Sequence, residues 1–217
     1  MKQLLLPVVA EPSDCCEFLV SRCNNESYKF LVEKFPFKDG SHCRITLMGT
    51  KMSGKTRLAK LWCGDGLYIN CEDDLLDFRL IDNQYRVVVD NFNLADEVQL
   101  FHTINRCAER GISLLLVSSE KYNFKLVDLV SRLNASYPLK ILPPDTEFCI
   151  LVVQELCIMN KIRLKNTTLD YIRGAIKFDN FTDLWLFRVQ LKVACDENRM
   201  VLDIETFRRI YDNWHRV

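Results

Sequence analysis

At 217 residues, with 48% hydrophobic and 27% charged side chains, the chain can bury one sizeable core and carry a small appendage. Its 29 basic and 29 acidic residues cancel, so no global field draws it to nucleic acid or to an anionic membrane. Ten cysteines form no Cys-x2-Cys pair and stand beside three histidines, which excludes zinc-finger spacing.

In chain order, residues 1–10 form an irregular apolar tail. Lys2 is followed by too few apolar residues before Glu11 and Asp14 for a secretory leader. Reduced thiols packed as small hydrophobes, in a cytoplasmic protein, are therefore expected. No apolar run approaches the ~20 residues of a membrane span. A helix is predicted over about 25–35. From 43 to 142, short apolar runs alternate with helical stretches, the pattern of a parallel sheet. The runs cover 43–48, 66–69, 85–90, 112–118 and 138–142; helices are expected over 55–63 and 94–110. Within the latter, Leu94, Val98, Phe101, Ile104 and Ala108 recur at three- and four-residue steps and mark a buried face. His102 falls off that face and is expected in solvent.

Pro143-Pro144-Asp145 interrupts the alternation, and Asp145 can cap a helix starting at 146. Helices are expected over 146–160, 168–176, 181–195 and 204–214, with no further strand. The predicted organisation is a tail over 1–12, an α/β domain over 13–144 and a helical lid over 145–217.

Gly49-Thr50-Lys51-Met52-Ser53-Gly54-Lys55-Thr56 matches G-x4-G-K-[ST] in full, directly after a strand and before a helix. The glycines let successive N–H groups face a phosphate, and Lys55 adds a point charge at the outer phosphates. The Thr56 hydroxyl suits Mg2+, and the helix N-terminus, with Arg57 next in line, favours the anion. The strand Tyr85-Arg86-Val87-Val88-Val89-Asp90 ends in a carboxylate suited to hold Mg2+ through a water. Asn91 stands next to it, where a water-polarising glutamate would serve hydrolysis. An amide orients water without taking its proton, so slow turnover is expected.

Together these segments resemble the AAA+ family of Hda-like, DnaA-related regulators. The tail Gln3-Leu4-Leu5-Leu6-Pro7, with Val8 next, is similar to the Q-L-x-L-P peptide by which that family binds the sliding clamp. Glu17-Phe18-Leu19-Val20-Ser21 with Asn24 resembles the segment that covers the adenine. Val89-Asp90-Asn91 matches the family's own Asp-Asn ending of this strand, and Leu116-Val117-Ser118-Ser119-Glu120 stands at its sensor 1 position. Asp128-Leu129-Val130-Ser131-Arg132-Leu133 is similar to the segment carrying the family's arginine finger. The likeness runs from residue 3 to about 214, and the chain stops where DnaA would continue into a DNA-binding domain.

The resemblance implies a five-stranded P-loop fold with a helical lid, binding ADP or ATP with Mg2+. Phe18, Leu19, Val20, the loop, Arg57 and Glu120 would surround the nucleotide. Gln3, Leu4, Leu6, Pro7 and Val8 would contact the clamp, and Arg132 would act in trans on ATP held by DnaA. Direct sequence-specific DNA binding is not expected; homo-oligomers are possible. The chain departs from the family in having no arginine over 178–182, the expected sensor 2 register; Lys177 and Arg188 flank the gap. Arg132 read alone could be a surface residue satisfied by Asp128, and the tail could be an apolar strap. Trp185, Trp214, Phe181 and Phe187 read as packing, and Lys121-Tyr122-Asn123-Phe124-Lys125 is a weak nucleic-acid signal. An autonomous ATPase, or a DnaA paralogue that recruits replication proteins, are the alternatives.

Overall fold

The computed structural model describes residues 18–35, 42–197 and 201–214. Five parallel strands form one sheet: β1 (Arg44–Met48), β2 (Leu67–Asn70), β3 (Arg86–Asp90), β4 (Ser113–Ser118) and β5 (Tyr137–Lys140), in the order β2-β3-β4-β1-β5. Alternation along these strands separates two faces. Val87, Val89, Leu114 and Leu116 point into one hydrophobic cluster, and Ile45, Leu47, Val88, Leu115 and Val117 into the other. Being covered on both sides, β4 is buried at all six positions, as a central parallel strand should be.

Ahead of the sheet, α1 (Asn25–Tyr28) continues as a π-helical stretch, Lys29–Lys34. Helix α2 (Lys55–Cys63) comes directly after the phosphate loop, α3 (Glu97–Arg110) precedes β4, and α4 (Val127–Asn134) precedes β5. Helix α3 begins three residues later than the apolar pattern suggests, because Asp96 caps it by accepting from the Val98 and Gln99 N–H groups. Its buried face also differs from the expected one. Leu100, Thr103, Ile104 and Cys107 are inside, whereas Leu94, Val98 and Ala108 are exposed and Phe101 is half-buried. A cysteine and a threonine serve as core residues here, so the apolar stripe lies one step round the helix. His102 is exposed, against Phe78.

After Asp145 come α5 (Thr146–Met159), α6 (Asn166–Ala175), α7 (Phe181–Glu197) and α8 (Ile204–Trp214). The expectation of no further strand is corrected. Two short strands, β6 (Arg163–Leu164) and β7 (Val201–Leu202), pair in parallel between these helices. Two residues each are too few to show a period, and only the helix packing brings them together. These helices do not sit apart from the sheet. Leu58 and Trp62 of α2, Val152 and Leu156 of α5, Phe187 of α7 and Phe207 of α8 belong to one continuous core.

Asp145 caps α5 at the Phe148 N–H (2.8 Å). Its other oxygen accepts from the Ser21 hydroxyl and the Cys23 N–H, both at 2.8 Å, which anchors the segment running to the phosphate loop. The eight described cysteines are unpaired thiols. Burial pushes Cys107, Cys149 and Cys195 up to about 12, leaving them inert. Among the described residues no helix is long and apolar enough to cross a membrane.

Candidate functional site

The phosphate loop leaves the end of β1 and delivers the chain into α2. Two glycines make the turn. A β-carbon at Gly49 would lie 3.0 Å from Ser53 Oγ and 3.1 Å from Ile141 Cβ, and Gly54 takes φ 89° at the N-cap of α2. Met52 also adopts a left-handed backbone, φ 61°, although it has a side chain, so the loop holds some strain. Lys55 is buried, and its ammonium donates to the Thr50 carbonyl (2.7 Å) and to Ser53 Oγ (3.3 Å). Burial lowers its pKa to about 8 against a smaller opposing pull from Asp90. An anion in the loop would favour the ammonium and raise that pKa again.

Thr56 Oγ1 donates to Asp90 Oδ2 at 2.7 Å, and Tyr68 OH donates to the same oxygen at 2.7 Å. The Asn91 N–H bonds to Asp90 Oδ1 at 2.9 Å. A hydroxyl and a carboxylate this close at the mouth of a phosphate loop are hard oxygen donors that fit one Mg2+ coordination sphere. Thr56 and Asp90 would hold the ion directly or through water, and it would neutralise charge on the outer phosphates. Asn91 sits at φ 53°, which asparagine tolerates, and its amide donates to Asn70 Oδ1 at 2.8 Å. Asn70 is the last residue of β2, one beyond the apolar run, so this partner was not legible in the sequence.

Phe18, Leu19 and Val20 are half-buried, and of the three Phe18 lies beside the loop. The Phe18 ring comes within 3.4 Å of a β-carbon built on Gly54 and stacks on Tyr28, centroids 5.6 Å apart. Asn24 shapes this segment by accepting from the Ser21 N–H (2.9 Å) and donating to the Leu19 carbonyl (2.8 Å). Lys51 is exposed and Arg57 half-buried. At the end of β4 the buried polar side chain is Ser118, which bonds Asn93 at 2.7 Å; Glu120 is exposed and no described side chain pairs with its carboxylate.

Arg132 stands far from this site. Its guanidinium lies over the Phe101 ring at 5.2 Å and near Arg44, the first residue of β1. The phosphate loop leaves the other end of that strand, about 15 Å away. Asp128 does not pair with Arg132, since no ion pair holds that arginine among the described residues. Glu97 of α3 accepts from the Lys125 and Leu126 N–H groups and so sets the start of α4. Tyr122 and Phe124 stack on each other and tilt against buried Phe92, which makes them packing residues. Gln3, Leu4, Leu6, Pro7 and Val8 lie outside the described residues.

Besides Tyr68 and Asn70, sequence reasoning missed a third residue of the site. Trp185 of α7, read as packing, donates its indole N–H to the Met52 carbonyl of the loop at 3.0 Å. Arg188 instead faces Glu155 at 3.6 Å and stacks on Trp185. Neither it nor exposed Lys177 fills the vacant arginine register. No local signal distinguishes a tryptophan that reaches a loop 133 residues away.

No protein-family model matches the chain. The chromosomal replication initiator protein DnaA of Helicobacter pylori (strain Shi470) is 25% identical over 226 residues, covering 90% of this chain and 49% of that protein. The chain thus spans about half the length of the curated relatives it matches. Domain III of DnaA from Thermotoga maritima superposes with a TM-score of 0.67 at 18% identity, covering 91% of this chain and 94% of that one. AMPPCP-bound DnaA from Aquifex aeolicus gives a TM-score of 0.64 at 17% identity, over 81% of this chain and 63% of that one. Strand order, phosphate loop and these likenesses converge: the chain has the AAA+ P-loop fold and is similar in sequence to part of DnaA.

Proposed function

We propose that this protein is an Hda-like regulator, binding ADP or ATP with Mg2+ and promoting hydrolysis of ATP held by DnaA at the sliding clamp. The observation that carries this is a division of the catalytic parts. The loop, Thr56 and Asp90 are arranged for a magnesium nucleotide, yet Asn91 supplies an amide, held by Asn70, where hydrolysis needs a base. Arg132, unpaired by any described carboxylate and a strand's length from the loop, suits work on a nucleotide held by another protein. The AMPPCP in a structural neighbour supports adenine nucleotide as the ligand class.

An arginine supplied in trans neutralises charge that develops on the phosphoryl oxygens, an effect of roughly 10^3–10^5 in GTPase systems. The test measures loss of DnaA-bound ATP on clamp-loaded DNA with and without this protein. Faster hydrolysis is expected. An unchanged rate, with both partners bound, would leave a recruiting paralogue as the better account. Vigorous ATPase activity of the protein alone, lost in Asp90→Ala, would favour an autonomous enzyme.

A further inference from the structure

The Asp90 carboxylate is buried, and three protein donors already serve it. An ionised carboxylate offers about four lone-pair positions, two on each oxygen. On Oδ2 both are taken, one by the Thr56 hydroxyl and one by the Tyr68 hydroxyl, each at 2.7 Å. Oδ1 is the oxygen turned to the Asn91 N–H. The Thr56 bond is compatible with a cation, because its oxygen keeps a lone pair for the ion while its proton stays on Asp90. The Tyr68 bond is of another kind. It comes from β2, the strand paired with β3, and the half-buried phenol offers the carboxylate a neutral donor. The Lys60 ammonium stands 5.4 Å from the Tyr68 ring centroid. A cation there draws electron density from the phenol and strengthens its O–H as a donor.

We propose that Tyr68 is a positioning residue that competes with the divalent cation for Asp90 Oδ2, so that its hydroxyl must give way before the carboxylate can serve the ion. This rests on nucleotide binding at the loop as proposed above. A cation shared by Thr56 and Asp90 needs a lone pair of Oδ2, either for itself or for the proton of a water bound to it. Tyr68 holds that lone pair. A buried carboxylate that loses a donor is left short of partners, at a cost it can recover by binding a cation. With the hydroxyl in place, Asp90 is satisfied without any ion. Tyr68 therefore stabilises the metal-free loop and raises the metal concentration at which ion and nucleotide bind together.

The experiment measures ADP binding to the full chain by calorimetry, from EDTA through a series of Mg2+ concentrations. Tyr68→Phe keeps the ring and its place beside Lys60 but removes the donor. It should lower the half-saturating Mg2+ by about tenfold and leave ADP affinity in EDTA within about twofold of wild type. In an Asp90→Asn background the carboxylate is gone, so adding Tyr68→Phe should shift the Mg2+ dependence no further. Circular dichroism establishes that each variant is folded. Ultraviolet difference spectra supply a readout on the unaltered chain. Mg2+ added to the ADP complex should perturb the tyrosine band of wild type, because the phenol changes partner, and that signal should be missing from Tyr68→Phe. A folded Tyr68→Phe whose half-saturating Mg2+ is unmoved or raised overturns the inference. So does an equal shift in the Asp90→Asn background, or a wild-type tyrosine band that Mg2+ leaves unchanged. Failure of wild type to bind ADP at any Mg2+ concentration removes the nucleotide site, and this inference with it. ADP binding that ignores Mg2+ leaves that site standing and removes only the inference.

Discussion

At the scale of single residues, Lys55 links nucleotide binding to pH. Burial lowers its pKa to about 8 from an ordinary 10.5, so the folded protein releases a proton that the unfolded chain still holds between those values. Stability should therefore rise with pH across that window, and protonation below about 8 costs the fold. A bound phosphate reverses the preference by favouring the ammonium. Affinity for ADP should fall by up to about tenfold per pH unit above 8, with proton uptake on binding. Calorimetry in two buffers of different ionisation enthalpy near pH 8.5 measures it; identical observed heats in the two buffers would contradict the assignment. Lys55→Ala should abolish binding. Arg132 makes an independent prediction. Arg132→Ala should retain fold and self-nucleotide binding yet lose at least about a hundredfold of the stimulation of DnaA-bound ATP hydrolysis. Lysine should not rescue it, because a point charge lacks the planar donor fork. Normal stimulation by the alanine variant would place the finger elsewhere. Asn91 sets a third expectation. Phosphate release by the isolated protein should stay near the uncatalysed background, since an amide bonded to Asn70 cannot accept the water's proton.

At the scale of elements, capping decides where helices begin, and through them where the site residues stand. Asp96 starts α3, Asp145 starts α5, and Glu97 receives the backbone donors that lead into α4. The turn before Arg132 is therefore held by a carboxylate on the neighbouring helix. The N-terminal tail is an element of another kind, outside the described residues, and its role is proposed from residue chemistry. Gln3 can donate and accept, Leu4, Leu6 and Val8 offer apolar anchors, and Pro7 lowers the ordering cost of an extended peptide. Each buried leucine is worth roughly 1.5–3 kcal/mol, enough to decide a micromolar contact. Gln3→Ala combined with Leu6→Ala should remove clamp binding in a surface-plasmon assay and leave Tm unchanged. Retained clamp binding with a Tm several degrees lower would identify the tail as a strap on the body.

At the scale of the molecule, the sheet and the C-terminal helices share one core rather than meeting at a polar seam. Phe187 and Phe207 are fully buried in the same cluster as Leu58 and Trp62 beneath the phosphate loop. Unfolding should accordingly be a single transition, with circular dichroism and tryptophan fluorescence superimposing. Phe187→Ala should cost roughly 3–5 kcal/mol and lower the midpoint of that one transition. Two resolved transitions would show that the helical region is an independent unit. A shared core also couples motion of α7 to the loop, so the Trp185 contact is held by packing as well as by its hydrogen bond.

The range of the forces decides how much was legible. Parallel strands buried on both faces read directly as apolar runs, because every residue of β4 must be tolerated by a core. The phosphate loop was equally plain, since its glycines and lysine must occur at fixed spacing to wrap one anion. Helix α8 was placed at both ends by its own amphipathic pattern, whereas the buried stripe of α3 was misjudged, because Thr103 and Cys107 reveal their burial only through their neighbours. Asn70 as the partner of Asn91, the pairing of β6 with β7, and the approach of Trp185 to Met52 depend on contacts between distant segments. Local residue pattern records what each segment needs to bury. Which polar group meets which across a fold is settled by packing, where one hydrogen bond of about 1 kcal/mol is fixed by a core worth far more.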